Sequence, residues 1–208
     1  MGIAAEERGL SRKGVILSKA ARRALLRGAA GFAAGLALWL AFSAPYERAV
    51  AGAAESVLRL AERPAVTRLT ARGGEFVVDR SDFPPAAPRP GLPAADLHFN
   101  LVILAALFAA LPPARSSRFL LALGLLFCVH VVALCFQVES LYATRLGAWS
   151  EANYGAFARN AWAAAFHVYQ IAGRFAAPFA IWWPLAWREP ADPEASRGPA
   201  RRKKKAKR

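Results

Sequence analysis

Charged residues are crowded into some parts of this chain and missing from others. Phe119 to Val138, FLLALGLLFCVHVVALCFQV, runs 20 residues without a formal charge. At ~1.5 Å per residue a helix of that length spans the ~30 Å hydrocarbon core of a bilayer. In lipid only a helix pairs all of its own backbone groups within one segment. Three more apolar stretches follow the pattern: residues 28–46 and 97–114, also without a charge, and 161–187, with Arg174 inside it. The pattern predicts an all-α membrane protein. It has four transmembrane helices and a small extracytoplasmic segment made of one helix plus a β-hairpin.

The first span, Gly28 to Tyr46, follows a basic stretch over residues 1–27. Ala41-Phe42-Ser43 also fits the small-x-small cleavage site of a secretory signal peptide. The length of the basic region and of the apolar run favours an uncleaved helix. Gly31 and Gly35 form a G-x-x-x-G pair, read as close packing inside the bundle rather than a dimer face. Residues 47–96 are polar. Within them Val50, Ala54, Val57, Leu58 and Ala61 recur at a helical period, and Pro64 ends that helix. Val66–Arg72 and Glu75–Asp79 then flank Gly73-Gly74, a hairpin signal. Thr67, Leu69 and Ala71 share one face of its first strand. A lone hairpin is marginal in water, so Val66, Leu69, Gly73, Gly74, Phe76 and Val78 are expected to meet the bundle mouth, a partner chain or another copy. Residues 83–93 are proline-rich and read as an extended linker without a fold of its own. Residues 139–160 form a second polar loop, with Trp149, Tyr154 and Phe157 at the interface, and residues 188–208 a basic tail.

The net charge of +14 suggests nucleic acid until its location is considered. With both termini and the Arg115–Arg118 turn on the cytoplasmic side, that side holds 18 of the 28 Lys and Arg residues against five acids. The two opposite loops hold nine Arg and nine acids. This is the positive-inside distribution of a multi-pass protein. Arg201, Arg202, Lys203, Lys204, Lys205, Lys207 and Arg208 then read as an anchor to anionic headgroups of the cytoplasmic leaflet, and no nucleic-acid partner is expected.

Asn160, His167 and Arg174 recur at seven-residue steps with Gln170 between them, which predicts a polar stripe facing the bundle. Glu139, at the outer end of the third span, is the expected ion-pair partner of Arg174. Cys128 and Cys135 are seven apart, about 10.5 Å along a helix, too far for a disulfide. Cys128 and His130 point to nearly opposite sides, which argues against a nucleophile pair, and His130 reads as buried polar packing. His98, His130 and His167 lack H-x-x-x-H spacing and no C-x-x-C occurs, so neither metal nor cofactor is expected.

The second span carries an N-x-x-[LI]-x-x-A-L-like run, Asn100 to Leu107 in HFNLVILAALFAALP. The last carries a Y-Q-x-x-x-R-F-x-x-P-like run, YQIAGRFAAP from Tyr169 to Pro178, ahead of IWWPLAW. With the order of the other parts, this resembles the exosortase H-associated membrane proteins of bacteria over most of residues 25–188. The resemblance implies an inner-membrane accessory to an exosortase, in a system that sorts secreted proteins bearing a C-terminal helix. It brings no catalytic residues. The cysteine, arginine and histidine pattern of exosortases themselves is missing, and the spans number half of theirs. The expected function is therefore a non-enzymatic accessory contacting another membrane protein. Two alternatives stand beside it: an intramembrane transferase or protease using Glu139, His130, His167 and Arg174, and a small transporter subunit.

Overall fold

The structure, a computed structural model, describes residues 18–62, 66–86, 88–111 and 116–186. The expected basic stretch up to residue 17, Pro64, Arg115, Trp187 and the tail anchor Arg201–Arg208 lie outside the described residues.

The chain is mostly helical, with one small sheet. Helix α1 runs Lys19–Ala61, 43 residues, so it is about 65 Å long. The first expected span and the helix expected after it are one continuous element. Pro45 removes one backbone N–H at their junction without ending the helix. Ser18 caps its start, its hydroxyl accepting the Ala21 N–H at 3.2 Å. The second expected span is shorter than 97–114 among the described residues: a four-residue turn α2, Ala95–His98, then α3, Asn100–Ala110. Helix α4 runs Ser116–Thr144, six residues past the expected end, and short α5 spans Ala148–Asn153. The last helical run begins earlier than expected. It comprises α6, Ala156–Val168, a π turn over Tyr169–Gly173, and α7, Arg174–Ala186. Among the described residues two helices, α1 and α4, are long and apolar enough to cross a membrane.

The hairpin forms as its turn residues require. Strand β1, Thr67–Arg72, pairs antiparallel with β2, Glu75–Arg80, and Arg72 faces Glu75 across Gly73-Gly74. Both glycines have positive φ, +63° and +78°, which side chains with a Cβ resist. The expected linker is partly a third strand. β3, Gly91–Pro93, pairs antiparallel with β2, its Leu92 buried opposite the buried Phe76. Arg89 ties the preceding proline loop down by pairing with Asp79.

The hairpin does not present its apolar face to a partner. Leu69, Phe76 and Val78 are buried together with Val50, Ala54 and Leu58 of α1 and Leu134, Val138 and Tyr142 of α4. Side chains at the end of α1 cover part of the β1 edge of the sheet. The Leu69 N–H donates to Glu55 at 2.8 Å and the Thr67 N–H to Glu62 at 2.9 Å, while Arg59 donates to the Thr67 carbonyl at 2.7 Å. On the far edge Pro93 has no N–H to offer.

A second cluster lies away from the sheet: Leu104 and Phe108 of α3 with Ala122 and Leu126 of α4, flanked by Ile181 and Leu185 of α7. Around it large apolar side chains point outward. They run from Leu25 to Phe42 on α1, Leu120 to Val132 on α4 and Val168 to Trp183 on the last helical run. Along the helix axes these stretches measure about 26, 18 and 22 Å. Val57, Leu60, Leu111 and Phe157 are exposed outside them. The G-x-x-x-G face is spent within the chain. A Cβ on Gly31 would stand 2.2 Å from the Ala109 Cβ, and one on Gly35 2.9 Å from the Ala105 Cβ.

Candidate functional site

Where the outward-facing apolar stretches give way to the sheet-bearing end, four helices meet through polar side chains. Tyr46 of α1 places its hydroxyl 2.6 Å from His130 Nδ1. His130 Nε2 lies 2.7 Å from Asn100 Oδ1, and Asn100 Nδ2 donates to the Arg174 carbonyl at 3.2 Å. The proton positions follow from this arrangement. Asn100 uses its amide N–H on the carbonyl, so its oxygen must accept, and His130 carries its proton on Nε2. His130 Nδ1 is then an acceptor, and Tyr46 donates to it. The result is a directional chain, Tyr46 to His130 to Asn100 to the Arg174 backbone, that touches α1, α4, α3 and α7. His130 is fully buried and Asn100 nearly so. A buried polar group without a partner costs about 1–3 kcal/mol, so each link holds the next in place.

A second chain runs beside it. The Trp39 indole donates to His98 Nδ1 at 2.7 Å, and His98 Nε2 lies 3.2 Å from Glu47 Oε1. An indole only donates, so His98 keeps its proton on Nε2 and directs it at the carboxylate. The Tyr46 ring packs edge-on to both histidines, 5.7 Å from His98 and 5.8 Å from His130. The chains thus share one aromatic wall. Both leave their histidine nitrogens occupied, so neither imidazole offers a free lone pair to a substrate.

The π turn supplies the last piece. Its wider winding carries Tyr169 inward, where its hydroxyl donates to the Leu97 carbonyl at 3.0 Å. Arg174 follows at once and pairs with Asp96 at 3.3 Å. The expected stripe does not form. Asn160 and His167 are exposed, and Gln170 and Arg174 are half-buried. His167 bonds only to its own helix, at the Ala163 carbonyl. Asn160 and His167 share a face of α6 that points outward, and the extra residue in the π turn then rotates Arg174 by about 100° off that face. Arg174 therefore meets Asp96 and not Glu139. Glu139 instead accepts from Tyr154 at 3.0 Å. Burial and the Glu139 carboxylate beside it push the Tyr154 phenol well above its ordinary range.

At the sheet-bearing end Arg80 is the joint between strand and helices. It donates to Asp82 at 2.9 and 3.0 Å and to Glu62 at 3.2 Å. Its guanidinium lies 4.8 Å from the Tyr142 ring centre and 5.0 Å from that of Trp149. The hydrogen bond from Arg80 holds the Asp82 carboxyl below the usual carboxylate range. Thr67 joins the same group through Glu62 and the Tyr142 hydroxyl.

No cluster of three or more metal-ligating side chains occurs among the described residues. Cys135 is buried and Cys128 exposed, and neither forms a disulfide.

No family model, curated protein or solved structure matches this chain. The resemblance to the exosortase H-associated proteins therefore rests on Asn100–Leu107 and Tyr169–Pro178. These two segments dock on each other. Asn100 bonds to the Arg174 backbone, Tyr169 bonds to the Leu97 carbonyl just before Asn100, and Pro178 is buried.

His130, Asn100 and Arg174 were visible in the sequence as polar residues within apolar stretches. Trp39, Tyr46 and Asp96 carry no such signal. Glu47 did leave a signal: it is the first charge after a long apolar run and directly follows Pro45-Tyr46.

Proposed function

We propose that this chain is a four-span protein of the bacterial inner membrane, both ends cytoplasmic, that acts without catalysis as an accessory to another membrane protein. Outward-facing apolar residues on α1, α4 and the last helical run support the spanning reading, with α3 packed among them. Helix α1 is about twice the ~30 Å of a hydrocarbon core, so it crosses and then projects. Its outer half and that of α4 carry the sheet as a compact extracytoplasmic head.

One observation carries the non-enzymatic reading. Glu139, His130, His167 and Arg174 are each engaged separately, by Tyr154, by Tyr46 and Asn100, by the Ala163 carbonyl, and by Asp96. Groups so divided fix helix packing rather than converge on a reacting atom. The resemblance adds the partner class, an exosortase-type sorting system.

The test has two arms. Reporters at Gly73-Gly74 and at the C-terminus should place the bend outside and the terminus in the cytosol; a cytosolic bend refutes the topology. Deletion of the gene should reduce sorting of a secreted protein with a C-terminal sorting helix, and His167→Ala should restore sorting as well as the unaltered chain. Undiminished sorting after deletion refutes the accessory role.

A further inference from the structure

Helix α6 and the π turn after it are apolar on two opposite sides. One side is covered by the chain itself. The Trp162 ring lies 6.0 Å from that of Phe136 on α4, the Arg145 guanidinium lies 5.9 Å from the Phe166 ring, and Tyr169 is buried. The other side is bare. Phe157, Val168 and Ile171 are 87, 66 and 75% exposed, and Ala161 and Ala164 between them are exposed as well. A helix that is apolar on more than one side is normally buried on each.

Spacing, position and flank say what covers the bare side. Phe157, Ala161, Ala164, Val168 and Ile171 follow one another by four, three, four and three residues. That alternation is the seam by which one helix receives another, and a lipid tail has no use for it. The seam also lies beyond the bilayer. Asp96 and Arg174 form a half-exposed ion pair, and charges so placed mark the outer limit of a hydrocarbon layer in a spanning protein. Phe175, Phe179 and Trp183 lie on the lipid side of that pair. Phe157 to Ile171 lies on the sheet-bearing side, where α6 runs beside Phe136 and Tyr154 reaches Glu139. There about 20 Å of apolar seam faces water.

The flank separates a second copy from a different chain. Asn160 and His167 lie along one side of the seam. The Asn160 amide has no partner among the described residues. His167 Nδ1 donates to the Ala163 carbonyl at 2.6 Å, which leaves Nε2 as an outward acceptor. The opposite flank is Ala158, Ala165 and Ala172. Two copies in one membrane share an orientation, so their α6 helices run parallel, and each polar flank meets the alanines of the other. A second copy leaves Asn160 and His167 unmatched. A different helix can match them.

We propose that the outer side of α6, from Phe157 to Ile171, docks a transmembrane helix of another membrane protein where that helix rises out of the bilayer. The docked helix carries apolar side chains at the same 3.5-residue repeat and hydrogen-bonding side chains opposite Asn160 and His167. The inference rests on the accessory reading above and names the face through which the accessory acts. The seam supplies the buried area and the flank selects the register, so loss of His167 alone leaves the docking surface in place.

The experiment is photo-crosslinking of the full chain in the membranes of its own host, with benzoylphenylalanine replacing Phe157, Ala161 or Val168 one at a time. Adducts from all three positions should fall on one other membrane protein, at sites three or four residues apart and next to one of its apolar spans. The same probe at Asn153, exposed and off the seam, should give none. Ala164→Arg places a charge in the seam at an exposed position, so circular dichroism should not change, while the adduct yield from Val168 should fall at least about tenfold. Adducts only with phospholipid, adducts only with this chain, adduct sites without helical spacing, or a yield that Ala164→Arg leaves unchanged each overturn the proposal. So does the absence of adducts. If deletion of the gene still lowers sorting in that case, the accessory reading stands and this face is eliminated.

Discussion

Gly31, where α1 lies against α3, is the position most open to a single-carbon test. A Cβ at Gly31 would sit 2.2 Å from the Ala109 Cβ and 3.1 Å from the Ala105 carbonyl oxygen. Carbon atoms pack at about 3.5–4.0 Å, so α1 and α3 must separate by roughly 1.5 Å to admit it. Such overpacking costs about 1–3 kcal/mol. Helix propensity works the other way, since Ala is favoured over Gly in a helix interior by about 1 kcal/mol. Gly31→Ala should therefore destabilise by a net of about 0–2 kcal/mol, well apart from the gain that propensity alone would give. Gly52, in the same helix, has nothing within 4 Å of its Cβ position. Gly52→Ala should then gain about 0.5–1 kcal/mol, which isolates propensity. The decisive variant is Gly31→Ala with Ala109→Gly. It moves the methyl from one helix to the other and should recover most of the loss. Reversible unfolding in mixed micelles, followed by circular dichroism, reads all three. If Gly31→Ala stabilises as much as Gly52→Ala, α1 and α3 do not pack through this face, and the bundle described here is wrong.

Three further outcomes follow from the geometry. Tyr46→Phe leaves His130 Nδ1 without its donor and His130→Leu strands both the Tyr46 hydroxyl and the Asn100 oxygen, so each should cost about 1–3 kcal/mol per orphaned group. The double variant should cost less than their sum by about 0.5–3 kcal/mol, and strict additivity in the same unfolding assay would dissolve the relay. Asp82 has a folded pKa below its ordinary 3.8, so the stability it contributes is complete above 3.8 and is lost as pH falls through the lower folded value. Its side chain is 43% exposed, so the effect is modest, and acid titration of Trp149 fluorescence should show it vanish in Asp82→Asn. Gly73→Ala and Gly74→Ala force a Cβ into positive φ and should each cost about 1–2 kcal/mol; a neutral result in thermal melts of the head would contradict the turn.

What the sequence discloses here divides along one physical line. Exclusion of charge from Phe119–Val138 and the demand for positive φ at Gly73-Gly74 are local requirements, and both elements stand where local rules put them. Strand β3 escapes such rules because it is short and bounded by Pro90 and Pro93. Its ladder is closed from outside the strand, by the Pro90 carbonyl accepting from Val78 and the Ala94 N–H donating to Gly74. The hairpin's burial was equally out of reach of composition. It depends on α1 running through Pro45, so that Val50 to Leu58 stand beyond the bundle as a wall for Leu69, Phe76 and Val78. The polar relay is the extreme case. Tyr46 and His130 lie 84 positions apart, Trp39 and His98 59, Glu47 and His98 51, and no window along the chain holds both ends of any pair. The stripe at Asn160, His167 and Arg174 breaks for the opposite reason, a local irregularity in the last helical run. A seven-residue spacing fixes a shared face only where every turn has 3.6 residues, and the π turn adds one. That same added residue turns Tyr169 toward the Leu97 carbonyl and Arg174 toward Asp96. The irregularity that hid the arrangement from periodicity is therefore what assembles it, joining the last helix to the α2–α3 break and, through Asn100, to His130 and Tyr46.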